Sequence, residues 1–125
     1  AVLEHVRRGE FLDTMRELRR ILRPDGVCSH TVDLKDHLGG SLNNMRLPST
    51  VWEQEWMARS GFYTNRLRCQ EMLELFQRAG FSVERVARRQ WNTLPVRRSA
   101  LASEFSELAE DELLTKEFDV VLRPA

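Results

Sequence analysis

The sequence predicts an α/β fold, and three observations predict it. Apolar residues at helical spacing alternate along the chain with short runs rich in Val, Leu and Phe. Pro-Asp-Gly and Ala-Gly junctions stand between the helical and the extended segments. With 42% hydrophobic and 30% charged residues, the 125-residue chain can form one core and a water-facing surface. Read in order, the segments are strand, helix, strand, irregular insert, helix, strand, helix, strand, an alternation that argues for a parallel sheet flanked by helices. The formal net charge of +0 supplies no global field that would attract nucleic acid or an anionic membrane. No apolar run approaches the roughly 20 residues of a membrane span.

Each element has a local reason. Ala1 to Val6 reads as the back half of a buried strand entering a polar turn. A chain that opens in mid-strand leads us to expect earlier strands upstream, with residues 1–125 as the C-terminal half of a larger domain. Glu10 to Leu22 is the clearest helix, with Phe11, Leu12, Met15, Leu18, Ile21 and Leu22 on one stripe. Arg19, Arg20 and Arg23 suit the negative end of its dipole, and Pro24-Asp25-Gly26 stops it. Val27 to Leu34 follows as a strand whose alternation is imperfect, as expected of a sheet covered on both faces.

Residues 36–64 form an aromatic-rich insert with Gly39-Gly40, Asn43-Asn44, Pro48, Trp52, Trp56 and Tyr63. An insert of this length after a strand is more often functional than connective. Asn65 to Ala79 is the second strong helix, with Asn65 as a good N-cap and Gly80 as its stop. Phe81 to Gln90 reads as a strand, Ser99 to Leu114 as an acid-rich third helix, and Phe118 to Leu122 as the final strand. The first three strands are expected to pair in parallel. Antiparallel is the expected direction of the last strand, although periodicity alone does not fix it.

Four segments carry a resemblance. Val2-Leu3-Glu4-His5-Val6, followed by the helix and turn from Arg16 through Arg23-Pro24-Asp25-Gly26-Val27, resembles the class I S-adenosylmethionine-dependent methyltransferases. In that family a similar segment ends the fourth strand, and a similar turn precedes the fifth. Phe76-Gln77-Arg78-Ala79-Gly80-Phe81 is similar to a later helix-to-strand junction of the family, and Phe118-Asp119-Val120-Val121-Leu122 to its final strand. Asp25 stands where the family more often has Gly, but Pro-Asp-Gly still makes the turn.

The resemblance implies the C-terminal half of a Rossmann-like sheet in a cytoplasmic enzyme that transfers methyl from S-adenosylmethionine to a small molecule. It also implies that the family's glycine-rich cofactor loop and its ribose-binding acidic residue lie upstream. Ala1 and Val2 are then the only candidates here for cofactor contact. Residues 1–125 alone are expected to bind the cofactor poorly and to be inactive. A reading of a different class is a stand-alone α/β interaction module that dimerises, with the insert as its binding surface.

His5 is the candidate catalytic residue, because the resemblance puts it where a strand opens toward the site and its ordinary pKa lies near neutrality. Asp33 and His37, at the end of the second strand, are candidates for a substrate pocket, as are Tyr63 and Arg66. His30, Asp33 and His37 do not make a metal site, since His30 and Asp33 point to opposite faces of a strand. Trp52 and Trp56, four apart, would share one helical face and pack as a satellite core. Arg85, Arg88, Arg89, Arg97 and Arg98 surround Trp91, an RNA-like pattern that the acidic stretch from Ser103 to Glu112 is placed to neutralise. No nucleic-acid partner is therefore expected. Cys28 and Cys69 read as reduced thiols. A homo-oligomer is expected, formed through an exposed edge at Val2 to Val6 or an apolar sheet face at Val27 to Leu34.

Overall fold

The described residues begin with a turn and not with a strand. In the computed structural model, which describes residues 2–125, Val2 is exposed and Leu3–His5 forms one turn of 3-10 helix. Ala1, one of the two cofactor candidates, lies outside the described residues. Asn65 is the cause. Its Nδ2 donates to the carbonyls of Leu3 at 2.8 Å and Val6 at 2.9 Å, and its backbone N–H donates to the Glu4 carbonyl at 2.8 Å. Carbonyls that a sheet ladder would have used are taken by one residue, so the segment curls. The exposed edge expected at Val2 to Val6 therefore does not form.

A second turn, Arg8–Glu10, leads into α1 (Phe11–Ile21), which buries Phe11 and Met15. After it the chain must turn sharply into β1 (Cys28–Asp33). A Cβ at Gly26 would lie 2.8 Å from Leu22 Cδ1 and 2.9 Å from the Arg23 carbonyl, so glycine is required there. The insert contains a 3-10 turn (Asn43–Arg46) and two short helices, α2 (Ser49–Trp52) and α3 (Glu55–Ala58). Helix α4 (Cys69–Arg78) starts four residues beyond Asn65, whose side chain serves the Leu3–Val6 turn and not the helix end. Gly80 follows with φ of +100°. Its carbonyl accepts from Arg19 Nε at 3.0 Å and from the Ala125 N–H at 2.9 Å, which ties α1 and the C-terminus to this corner.

Then come β2 (Phe81–Gln90), a 3-10 turn (Arg98–Ala100), α5 (Ser103–Ser106), α6 (Glu110–Leu114) and β3 (Thr115–Pro124). The single helix expected over Ser99 to Leu114 is thus broken. Arg98 Nη1 donates to the carbonyls of Ser106 at 3.0 Å and Leu108 at 2.6 Å, which satisfies the acceptors the break leaves free.

The three strands form one sheet in the order β1-β3-β2, with β3 antiparallel to both neighbours. The last strand has the expected direction. The expected parallel pairing does not occur: β1 and β2 run the same way, but β3 lies between them. Phe118, Val120 and Leu122 of β3 are fully buried beneath α1 and α4, against Val32, Phe76, Met72 and Met15. The other face is polar. Ser29 and Thr31 lie beside Asp119 and Val121, and Thr31 Oγ1 donates to Asp119 Oδ1 at 2.7 Å. The apolar patch expected on Val27 to Leu34 is therefore absent, because alternation turns Val32 inward and Thr31 outward. A second, smaller core gathers Leu42, Met45, Val96, Leu101, Phe105 and Leu113. It joins the insert to the segment after β2.

Candidate functional site at the carboxyl end of β1

The Leu3–His5 turn and the segment Thr64 to Arg68 close over the end of β1. Glu4, Asp33, Asn44, Thr64, Asn65, Arg66 and Arg68 surround a small cavity there. On the adjoining segments, the rings of His5 and His37 meet edge to face with centroids 4.9 Å apart. His5 Nε2 lies 3.6 Å from Glu4 Oε2, and His37 Nδ1 lies 3.4 Å from the Gly61 carbonyl. Three residues singled out from the sequence, His5, Asp33 and His37, thus come to one end of the sheet. Asp33 Oδ1 accepts from the Lys35 N–H at 2.9 Å and pairs with Lys35 Nζ at 3.2 Å, so it also caps the turn. Asp36, buried, holds the following loop through the N–H groups of Leu38 at 3.1 Å and Ser41 at 2.9 Å.

Of the remaining two candidates, Arg66 lines the cavity and Tyr63 does not. Tyr63 is buried, stacked on Trp52 at 6.0 Å, and its hydroxyl donates to the Glu53 carboxylate at 2.9 Å. Burial, above all, pushes that hydroxyl up to about 12, so it stays protonated. Arg66, expected at the surface, is buried with φ of +58°. Its Nη1 donates to the carbonyls of Asn44 at 2.9 Å and Leu47 at 2.5 Å. The guanidinium carbon lies 5.1 Å from the Trp52 ring centre and 4.7 Å from that of Phe105. Burial pulls Arg66 down to about 10, which leaves it charged at neutral pH. It therefore joins the insert to the smaller core instead of presenting a surface cation to a substrate.

Arg68 behaves alike. Buried, and pulled to about 10 by desolvation, it donates to the carbonyls of Glu112 at 3.0 Å, Leu34 at 3.2 Å and Thr115 at 2.7 Å. The two Trp residues do not share a face, because the helix breaks between α2 and α3. Trp52 is 1% exposed and its Nε1 donates to the Thr64 carbonyl at 2.7 Å, whereas Trp56 is 60% exposed. Val2, the remaining cofactor candidate, is exposed outside this cluster of contacts.

Sequence reasoning missed Glu4 and Arg68 as buried polar members of this end, and read Asn65 only as a helix cap. The signals were a Glu inside the apolar run Val2-Leu3-Glu4, and polar residues alternating with Leu67 just before α4. Two arginines of the basic stretch are ion-paired: Arg88 reaches Glu112 at 3.1 Å, and Arg89 reaches Glu117 at 2.5 Å and Asp119 at 2.9 Å. Among the described residues no group of three or more His, Cys, Asp or Glu could hold a metal ion. None of the described helices is long and apolar enough to cross a membrane. Both thiols are free, and burial raises each, Cys69 to about 11. In comparisons with known proteins, no family model, no curated protein and no solved structure matches this chain.

Proposed function

We propose that the chain is the C-terminal part of a cytoplasmic S-adenosylmethionine-dependent methyltransferase, and that the carboxyl end of β1 forms part of its acceptor site for a small molecule. One observation carries the reading. The Val2–Val6 segment, which bears the main resemblance, is fastened by Asn65 so that Glu4 and His5 stand at the carboxyl end of β1 beside Asp33 and His37. Ligands of open α/β sheets bind at the carboxyl ends of strands. The helix-to-strand corners at Gly26 and Gly80 and the antiparallel last strand support the same reading.

The described residues do not fit the cofactor. Gly39 and Gly40 lie on a loop that leads to one 3-10 turn and not to a helix N-terminus, so they cannot cradle its charged end. This chain's part is on the acceptor side. His5 is placed to orient an acceptor group or take its proton, with His37 against its ring and Asp33 lining the cavity with Glu4.

Calorimetric titration of residues 1–125 with S-adenosylmethionine should show no tight binding. The protein as encoded with its upstream sequence should bind the cofactor through a strand and a glycine-rich loop, and should transfer labelled methyl to a small acceptor. Low-micromolar binding by residues 1–125 alone would overturn the assignment of the cofactor to elements outside this chain. An upstream sequence without such a strand and loop would overturn the enzyme reading.

One observation favours the second reading, a non-enzymatic module that dimerises. Among the described residues the outer edge of β1 pairs with no strand, and Ile21 and Val27 are exposed. Light scattering of residues 1–125 tests the module reading. A dimer whose β1 edge is protected from hydrogen exchange supports the module, and a monomer at micromolar concentration removes that support.

A further inference from the structure

Glu4 is a carboxylate in a core position. It is 2% exposed, and its Oε1 is buried without a hydrogen-bond partner among the described residues. Such an atom is costly, and a native chain that keeps one has a reason for it. Glu4 lines the cavity at the end of β1, whose volume of about 10 Å³ holds roughly one water molecule. The other polar groups around that cavity are engaged elsewhere. Asn44 Nδ2 donates to Thr64 Oγ1 at 3.1 Å, Asn65 Nδ2 serves Leu3 and Val6, and Arg66 and Arg68 donate to backbone carbonyls.

We propose that Glu4 Oε1 is a ligand-binding acceptor, and that the group it receives is a hydroxyl. That hydroxyl belongs to the small-molecule substrate when one is bound and to a water molecule otherwise. A carboxylate oxygen accepts, so the ligand atom must donate. The cavity admits one heavy atom and its hydrogens. Two guanidinium groups and two carboxylates, Glu4 and Asp33, line the same space, so the lining charge is already balanced and a neutral donor, a hydroxyl, leaves it so. The substrate half of this inference rests on the methyltransferase reading and deepens it, since the acceptor molecule then carries a hydroxyl that Glu4 holds. The half concerning Glu4 and water does not depend on that reading.

The test has two arms. On residues 1–125, Glu4→Gln and Glu4→Leu should keep or raise the thermal midpoint, because each removes a buried carboxylate charge to which no described protein group donates at Oε1. A crystal structure of the unsubstituted chain should show water on Oε1, and that of Glu4→Leu should show none. A midpoint lowered by more than about 5 °C in both variants, or a crystal structure with Oε1 bonded to a protein group, would overturn the proposal. On the protein with its upstream sequence, labelled methyl transfer is measured with panels of small alcohols, phenols and amines. Transfer to hydroxyl compounds, reduced about 100-fold or more by Glu4→Gln with the fold intact, supports the substrate half. Transfer only to amines that carry no hydroxyl overturns it. No transfer to any acceptor by the unsubstituted protein refutes the methyltransferase reading and the substrate half with it, and the first arm then decides the role of Glu4.

Discussion

Replacing Asn65 with alanine should destabilise the fold far more than an ordinary polar substitution, and the structure gives the magnitude. The side chain makes three hydrogen bonds, donating to the carbonyls of Leu3 and Val6 and accepting from the Leu67 N–H at 3.0 Å. The residue is 1% exposed, so water cannot readily replace the lost partners. A retained hydrogen bond is worth about 1 kcal/mol net, and orphaning a buried group costs about 1–3 kcal/mol. Three bonds, two of them fully buried, put Asn65→Ala at about 3 kcal/mol. For a domain of this size that is roughly a 12 °C fall in thermal midpoint. Asn65→Asp keeps an acceptor for Leu67 but turns a carboxylate toward two carbonyls, so it should be at least as damaging. Urea unfolding followed by circular dichroism, with a shared slope, measures both. A loss below about 0.5 kcal/mol for Asn65→Ala would refute the claim that this side chain shapes the start of the chain.

Two further outcomes follow from particular contacts. Trp52→Ala should cost about 3–5 kcal/mol in the same unfolding assay, because the ring is fully buried and its N–H is bonded, while Trp56→Ala should stay within about 0.5 kcal/mol; equal losses would mean that the pair does share one core. The Arg89 guanidinium, with help from Thr31, holds the Asp119 carboxyl down at about 2, against an ordinary value of about 3.9. The Asp119 contribution to stability is therefore present above about pH 4 and is lost as pH falls through about 2. Carbon NMR titration of Asp119 should show that low midpoint and its rise in Arg89→Gln; an ordinary midpoint in the unsubstituted protein would show that the pairing does not persist in solution.

How far the sequence could be read depended on whether a residue's partner was near in sequence. Helices α1 and α4, with their stops, were legible because the information is periodic and local: Phe11 and Met15, and Met72 and Phe76, recur at one-turn spacing. The strands were legible as strands. Their pairing was not, because nothing in Phe118 to Leu122 taken alone says that it will divide β1 from β2. The acid-rich helix failed for a similar reason. Its residues favour a helix throughout, but Arg98 offers the Ser106 and Leu108 carbonyls a side-chain partner that propensity does not register.

The site shows the same divide more sharply, because its polar residues act through distant backbone. Asn65 has the composition of a cap, and Arg66 and Arg68 have that of surface cations. What places them inside is a supply of carbonyls with no ladder partner: those of Leu3 and Val6 at the opening turn, Asn44 and Leu47 in the insert, and Leu34, Glu112 and Thr115 where β1 ends and β3 begins. Irregular backbone that is buried must find donors, and amide and guanidinium side chains carry several each. The opening turn, the insert and the ends of β1 and β3 are thus fastened by Asn65, Arg66 and Arg68 respectively, in place of regular secondary structure. Glu4 is the exception that gives the arrangement a function to explain. Among the described residues every other buried side-chain polar group around the cavity has a protein partner, whereas one oxygen of Glu4 has none. A fold that satisfies so many stray carbonyls with buried arginines could as readily have carried leucine at position 4, and the carboxylate is better accounted for by what it binds than by what it stabilises.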